Sequence, residues 1–131
     1  MRLWHQSLIP HLDRQRLLGA HRECCALRGK GWGRKHSVVD YVFTYNPAYL
    51  VAYHYLIMNE MRRRGYNPDI TWENPDWRGT AIGEQKDWAD EDMVSKLLVS
   101  ARYEGLQIYP EHNDNYLREC IDNLKSKGIE I

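Results

Sequence analysis

The sequence has 131 residues, of which 43% are hydrophobic and 27% are charged, and its 18 basic residues balance 18 acidic ones. This length fits one compact domain over residues 1–131 and excludes an enzyme with a separate cofactor domain. Apolar runs such as residues 97–99 are too short to span a membrane, and the first residues lack the apolar stretch of a secretory signal, so we expect a soluble, cytoplasmic protein.

Charge is unevenly distributed along the chain. Residues 1–36 contain eight Lys or Arg side chains and two acids, whereas residues 69–92 contain eight acids and two basic side chains. A neutral protein with a basic end can bind phosphate through that end. Pairing of the two segments with each other explains the same counts, so charge alone leaves both interpretations open.

Helix caps and apolar spacing predict four α-helices. Pro10 is expected in the opening turn of the first helix, and Asn46 followed by Pro47 is typical of the start of the second. A glycine closes each helix. The predicted helices span residues 10–29, 46–65, 90–105 and 113–128, the last beginning at Asn113 or Asp114.

The segments between these helices are rich in Gly, Pro, Asn and Trp. We expect them to be ordered, because Trp72, Trp77 and Trp88 carry too much apolar surface to be left in water. Residues 38–45 alternate weakly between apolar and polar, but a lone strand has no partner, so an extended loop or the lead into a helix is predicted there. The pattern predicts an all-α fold of about four helices with long ordered loops.

Cysteine and histidine spacing gives no sign of a disulfide framework or a metal site. Cys24, Cys25 and Cys120 are odd in number and none forms a CxxC pair, which favours free thiols. The six histidines show no paired-ligand spacing, and His54 falls on the apolar stripe of the second helix. No metal ion is predicted, and solvent exposure is the default expectation for His21.

Glu23 is the only acid between Asp13 and Asp40, so it stands among cations on the first helix. Arg16, Gly19 and Glu23 are three or four residues apart and therefore share one face, with a small residue one turn before the carboxylate. Such a carboxylate beside a gap in a basic surface suits a DNA-modifying enzyme. An ordinary ion pair between Glu23 and Arg16 is the competing interpretation.

Four stretches resemble the endonuclease V family of pyrimidine-dimer DNA glycosylases. The first is the first predicted helix, where an Asp-Gln-basic-Leu series leads to an Arg-Glu pair. This stretch and the third, residues 43–67, are specific matches, whereas Arg-Lys-His and Trp-Arg-Gly are each weak matches on their own. Similarity after Gly79 is slight. The stretches are residues 12–23, 34–36, 43–67 and 77–79.

The resemblance implies a compact helical glycosylase with AP lyase activity that acts on damaged double-stranded DNA, as a monomer and without any cofactor. The nucleophile is the α-amino group of the first residue, and the essential carboxylate corresponds to Glu23. Arg2 is bulky and should resist removal of the initiator methionine, so the amine of Met1 is predicted to attack. Arg22 matches the family's active-site arginine and is expected to hold the phosphate beside the lesion. Pyrimidine dimers or another damaged base are the expected lesion.

Further DNA contacts are predicted in the basic third of the chain. The family's next arginine falls on Ala26 here, so either Arg28 takes over its role or a different lesion is recognised. Trp32, in a loop of glycines and cations, is predicted either to stack on a base or to tuck back into the core. The predicted DNA-binding residues are Arg2, Arg16, His21, Arg28, Lys30, Trp32, Arg34 and Lys35.

Two alternatives to a glycosylase/lyase remain at this point. A hydrolytic nuclease needs a cluster of Asp, Glu and His metal ligands, and the sequence shows none. A relative that binds DNA without catalysis is the second alternative, because Met1 stands where the family exposes a small residue. A tag ahead of Met1 separates the cases, since it should spare binding and abolish imine chemistry.

Overall fold

The computed structural model describes residues 2–35 and 37–131 and is helical. It confirms the all-α fold: within the described residues there is no strand, and one isolated antiparallel bridge joins Trp77 and Glu84. No described helix is long and apolar enough to cross a bilayer. The α-helices are α1 (Arg14–Arg28), α2 (Pro47–Arg63), α3 (Glu91–Tyr103) and α4 (Asp114–Ser126), and short 3-10 helices span Gln6–His11, Asp40–Thr44 and Ile70–Glu73.

The last three helices begin where their caps predict. The side chains of Asn46, Asp90 and Asn113 each accept a hydrogen bond from a backbone N–H of the first turn. These bonds satisfy donors that would otherwise have no partner inside the helix. Gly65, at a φ of +88°, follows α2 in the left-handed conformation that ends a helix. The predicted boundaries of these helices are therefore confirmed.

The first helix starts later than predicted. Pro10 lies inside the 3-10 helix Gln6–His11, and α1 begins at Arg14 after an extended Leu12 and the N-cap Asp13. The 3-10 turn buries Leu8 and Ile9, so packing decides the path of this segment. Residues 40–44 also form a 3-10 helix, where an extended loop or helix lead was expected.

Helix α2 is the central element of the core. It packs against both α1 and α3, and ten of its 17 residues are buried. The start of the chain is anchored beside it, because the hydroxyl of Tyr53 donates to the carbonyl of Trp4 at 2.6 Å. Tyr116 of α4 donates to the carbonyl of Leu3 at 2.5 Å. Residues 3 and 4 are thus held between α2 and α4.

Two arginines tie the end of α1 to the tryptophan-rich loop. Arg28 is fully buried and donates to the carbonyls of Trp72, Asn74 and Trp77 at 2.8–3.1 Å. In return, Arg78 donates to the carbonyls of Arg28 and Gly29 at 2.8 and 3.0 Å. We call this reciprocal pair the arginine clasp. It explains why the loop is ordered, as its tryptophans predicted.

Candidate active site

A cavity of about 430 Å³ opens where the start of the chain, α1 and α4 meet. One face of α1 forms the largest part of the wall, and we call the cavity the Glu23 pocket. Its lining residues are Arg2, Trp4, Gln15, Arg16, Gly19, Arg22, Glu23, Val38, Asn123 and Lys127. Four predicted site residues, Arg2, Arg16, Arg22 and Glu23, are thus brought together.

Gly19 leaves a gap in the α1 wall of the pocket. Among the described residues, a Cβ added at this position would contact only the Nη2 atom of Arg22, at 3.7 Å, which is an ordinary van der Waals distance. The packing of the protein therefore does not require glycine here. Glycine in a helix interior costs about 0.5–1 kcal/mol relative to alanine, so the open space it gives to the pocket is its visible benefit.

Glu23 has a carboxylate oxygen that residues 2–35 and 37–131 leave unsatisfied. Its Oε2 atom is shielded from solvent and has no hydrogen-bond partner among these residues. Arg16, the competing ion-pair partner, instead lies 3.5 Å from the carboxylate of Asp13 and donates to Gln15. Within the described part of the chain, Glu23 is thus no ordinary ion pair. Its position leaves an acceptor free for a bound molecule.

The floor of the pocket is an indole ring under two cations. The guanidinium carbon of Arg2 lies 5.7 Å from the centre of the Trp4 ring, and the Lys127 ammonium lies 5.4 Å from it. Arg2 also pairs with Glu119 at 3.5 Å. Arg22 is exposed at the rim. The pocket therefore combines a free carboxylate with positive charge suited to phosphate.

The sequence interpretation missed Trp4, Gln15, Val38, Asn123 and Lys127 as lining residues. Lys127, the C-cap of α4, follows Asn123 by four residues, so both lie on the same face at the end of α4. That spacing is visible in the sequence, but nothing in it indicates that this face meets α1 across 100 residues. Met1 and His36 lie outside the residues that the structure describes, so the predicted nucleophile itself is not placed.

Three of the predicted DNA contacts are exposed, whereas Trp32 packs against other aromatic rings. Lys30, Arg34 and Lys35 lie on the surface of the turn that follows α1. Trp32 instead packs edge-on against Phe43 and Trp88, with ring centres 5.0 and 5.3 Å apart. The side chain is thus partly buried against the core, as one of the two predicted alternatives had it, and stacking on a base stays a prediction.

The glycines of this turn have a packing role. A Cβ at Gly31 would lie 2.8 Å from the carbonyl oxygen of Ala26, closer than real contacts allow. The turn therefore needs glycine at this position to fold back over the end of α1. DNA binding is not needed to explain this glycine. Its cations remain the part of the loop that can meet a phosphate backbone.

The prediction that Arg28 binds DNA is wrong for the folded protein. Its side chain is fully buried and bonded to three loop carbonyls, so it can reach a phosphate only if the arginine clasp opens. The residue falls on the same helical stripe as the buried Leu17 and Cys24. That spacing was the signal in the sequence that it faces the core.

His21 is half-buried against α2 rather than exposed to solvent. Its Nδ1 atom lies 2.8 Å from Nε2 of His54, whose Nδ1 lies 3.0 Å from the guanidinium of Arg28. Because a guanidinium only donates, His54 accepts at Nδ1 and donates from Nε2 to His21. Burial, followed by the charge of Arg28, holds the pKa of His54 well below its usual value. His21 does not line the Glu23 pocket.

One cluster offers metal-ligating atoms. The donor atoms of His21, Cys25 and His54 lie within 4.8 Å of one another. Ligation by His54 Nε2 would place a proton on Nδ1, directly against the N–H of Arg28, whereas a metal-bound histidine normally donates to an acceptor there. Burial also raises the pKa of the Cys25 thiol to about 11, which disfavours the thiolate ligand. The arrangement suits a neutral hydrogen-bonded chain better than a cation.

A second, larger cavity of about 760 Å³ is unsuited to DNA. Acidic side chains dominate its lining: Asp76, Glu84, Asp87, Asp90, Glu91 and Asp92, with Lys86 as its one cation. Phosphates would be repelled from it. Among residues 2–35 and 37–131, no ion pair joins the basic first third to the acidic segment 69–92. Mutual pairing therefore does not explain the basic end.

Comparison with known families places the chain. The model of the pyrimidine dimer DNA glycosylase family matches residues 1–74, more than half of the sequence. Comparisons with curated proteins and with solved structures gave no match. The matched part holds α1, α2 and every lining residue of the Glu23 pocket except Asn123 and Lys127. The chain therefore belongs to the pyrimidine dimer DNA glycosylase family, and it is a DNA repair glycosylase whose substrate is DNA.

Proposed function

We propose that this glycosylase is also an AP lyase, which removes a damaged base through an imine and then cuts the strand. The observation that carries the proposal is the unsatisfied carboxylate oxygen of Glu23, shielded from water in a pocket ringed by arginines. Such a group can stabilise a cationic sugar and transfer protons. Pyrimidine dimers are the proposed lesion, in keeping with the family to which residues 1–74 belong.

The proposed nucleophile is the α-amino group of Met1, one peptide bond before the pocket residue Arg2. An α-amine has a pKa of about 7.7–8.0, so a useful fraction is uncharged near neutral pH. It attacks the sugar C1′, and the base leaves with the electrons of the glycosidic bond and takes up a proton. The nitrogen then forms a double bond to C1′ as the bond from C1′ to O4′ breaks.

Strand cleavage follows from the imine. The C=N bond makes the C2′ proton acidic, and its removal by the Glu23 carboxylate expels the 3′ phosphate by β-elimination. Arg22 is exposed beside Glu23 and is proposed to hold a phosphate next to the lesion. The surface cations Lys30, Arg34 and Lys35 are proposed to contact the backbone farther along the duplex.

The test is borohydride trapping of untagged protein on duplex DNA that carries one abasic site, followed by mass spectrometry of the linked peptide. We expect a covalent adduct on the amine of Met1, and its loss when a tag precedes this residue. Absence of any adduct, with DNA still bound, would support a non-catalytic DNA-binding relative instead. A duplex with a single cyclobutane pyrimidine dimer then tests the lesion. If the protein is trapped on abasic DNA but leaves the dimer duplex intact, pyrimidine dimers are excluded as its substrate.

A further inference from the structure

Helix α4 brings a second unsatisfied acceptor into the Glu23 pocket. The Oδ1 atom of Asn123 is shielded from solvent and has no hydrogen-bond partner in the described part of the chain, as is true of Glu23 Oε2. Six side-chain atoms of the described residues share this property, and two of them belong to this one pocket. Buried acceptors without partners are rare because they lose the hydrogen bonds that water provides.

No neighbouring cation satisfies Asn123 within the described chain. Lys127, one turn further along α4, places its ammonium 5.4 Å from the centre of the Trp4 ring. Arg2 is engaged with Glu119 and lies over the same ring. The last torsion of an asparagine side chain is soft, so its oxygen can turn toward a bound molecule at little cost. The arrangement therefore suits a ligand that carries a hydrogen-bond donor.

The chemistry of a nucleotide limits which group that is. Phosphate oxygens at neutral pH only accept hydrogen bonds, so they cannot satisfy Asn123 or Glu23. The possible donors are an N–H of the base and a hydroxyl of the sugar. Glu23 acts at the sugar in the proposed reaction, and Asn123 lines the same pocket of about 430 Å³. The sugar is therefore the better match.

Ring opening creates such a hydroxyl. In the intact nucleotide O4′ is bonded to C1′ and carries no hydrogen. After the amine has displaced the base, its nitrogen gives one proton to Glu23. The nitrogen lone pair then forms the C1′=N bond, the electrons of the broken C1′–O4′ bond go to O4′, and Glu23 returns the proton to O4′. In DNA that still carries the base, the O4′ hydroxyl thus exists only once the imine has formed.

We propose that Asn123 accepts a hydrogen bond from the O4′ hydroxyl of the ring-opened sugar and thereby stabilises the imine. This inference rests on the proposed lyase function. Because the donor is absent from the closed-ring substrate, the contact accelerates imine formation without tightening substrate binding. Asn123 lies in α4, beyond the residues matched by the family model.

The test measures the single-turnover rate of borohydride-trapped adduct on duplex DNA with one abasic site. Asn123→Leu removes the acceptor and should lower this rate about tenfold, the value of one hydrogen bond. Asn123→Asp retains an acceptor oxygen and should stay within about threefold of the wild type. Asn115→Leu, an exposed change on the same helix, is the matched control and should leave the rate unchanged.

A second measurement uses DNA with a tetrahydrofuran site, whose ring cannot open. The affinity of Asn123→Leu for it should equal that of the wild type, because no O4′ hydroxyl forms. A wild-type rate for Asn123→Leu on abasic DNA would overturn the proposal. A loss of rate in Asn123→Asp as large as that in Asn123→Leu would also overturn it. If Asn123→Leu slows the reaction only on DNA that still carries the base, Asn123 contacts the base, and the proposal is again overturned. Thermal unfolding checks the fold, and Asn123→Ala replaces the leucine variant if that one unfolds.

Failure of the two proposals is distinguishable. If the wild type itself forms no adduct, the lyase function fails before Asn123 is tested. If the wild type is trapped and all Asn123 variants react equally fast, the lyase function stands and the role of Asn123 alone is rejected.

Discussion

Arg22 and Glu23 are neighbours in sequence but occupy different surroundings. Arg22 is exposed at the rim, whereas one oxygen of Glu23 is closed off from water. Successive residues on an α-helix point about 100° apart, which separates the exposed arginine from the shielded glutamate oxygen. The resemblance to the family pointed to the pair from sequence, and the structure adds that none of residues 2–35 and 37–131 forms an ion pair with the glutamate.

Replacing Glu23 by glutamine should abolish strand cleavage. The amide has the same shape but neither the negative charge nor the proton-transfer capacity, so we expect at least a ~100-fold lower rate. Binding to abasic DNA should change little, because no phosphate contact is lost. Gel assays of cleavage and fluorescence anisotropy measure the two. Glu104→Gln, an exposed change, serves as control, and full cleavage by the Glu23 variant would refute the site assignment.

Replacing Arg22 by alanine should weaken DNA binding and its dependence on salt. Each neutralised phosphate contributes about 0.9 to the slope of log affinity against log salt concentration in duplex DNA. We therefore expect the slope to fall by about that amount in titrations between 50 and 200 mM salt. Arg102→Ala removes an exposed arginine of α3 outside the pocket and should leave the slope unaltered. If Arg22→Ala and Arg102→Ala have the same slope of log affinity against log salt concentration, Arg22 does not contact a phosphate.

Counting cations in the sequence could not separate surface from core. Lys30 and Arg28 both belong to the basic end, yet the first is exposed and the second fully buried. The buried guanidinium is tolerated because backbone carbonyls of a distant loop surround it. The helical position of Arg28 among apolar residues indicated burial, but its partners, more than 40 residues away, are a tertiary property.

At the scale of elements, Gly19 lowers the stability of α1 but leaves open space in the pocket. Gly19→Ala should therefore stabilise the protein by about 0.5–1 kcal/mol, which corresponds to roughly 3 °C in thermal unfolding. Gly19→Leu should fold as well but fill the gap beside Arg22 and block cleavage of abasic DNA. Differential scanning calorimetry and cleavage assays on both variants test this. An active leucine variant would show that the gap is not used by the substrate.

The arginine clasp should be a major source of stability for the loop after α2. Arg28→Met would leave the carbonyls of Trp72 and Trp77 without their donor, whereas the carbonyl of Asn74 would still accept from the backbone N–H of Trp77. Each carbonyl that loses its donor costs about 1–3 kcal/mol, so we expect a loss of at least ~2 kcal/mol in urea unfolding. Arg14→Met is the control, because Arg14 is exposed and its guanidinium lies over the Tyr66 ring, away from the clasp. Similar losses in both variants would disprove the clasp.

Caps explain why most helix boundaries could be predicted. Asn46, Asp90 and Asn113 act within one turn of their own position, so the sequence alone contains the interaction. The start of α1 differed because Leu8 and Ile9 are drawn into the core by contacts with other elements. Pro10 is compatible with either path, so its presence could not decide between a helical opening turn and a 3-10 turn.

For the whole molecule, buried neutral histidines make stability depend on pH. Burial lowers the pKa of His112 to about 3 and also depresses that of His54. An unfolded histidine has a pKa of about 6.5, so below this pH the unfolded chain binds more protons than the folded one. Stability should thus be complete above pH ~6.5 and fall as the pH decreases, by about 1.4 kcal/mol per pH unit for each histidine.

Urea unfolding between pH 7.5 and 4.5 measures this dependence. His112→Gln is the informative variant, because the ring accepts from the Gln6 backbone and contacts the Tyr41 hydroxyl, and an amide offers one acceptor and one donor without titrating. The pH slope of this variant should be smaller by one proton. Identical slopes in variant and wild type would show that His112 does not titrate on unfolding.

Only one wall of the Glu23 pocket could be predicted from sequence. The α1 face follows from helical spacing, which places Arg16, Gly19 and Glu23 together. Trp4, Asn123 and Lys127 join them because Tyr53 and Tyr116 hold the start of the chain between α2 and α4. No local pattern contains that information.

The pocket is built from both early and late parts of the chain, and this has a consequence during synthesis. A nascent chain that has emerged as far as α3 already carries Arg22 and Glu23, so it holds the α1 wall of the pocket without the wall from α4. Domains fold as units while the ribosome adds residues in order. The enzyme should therefore acquire a complete site only after Lys127 has been added, and a chain released before that point would carry the family's matched residues but lack the α4 wall.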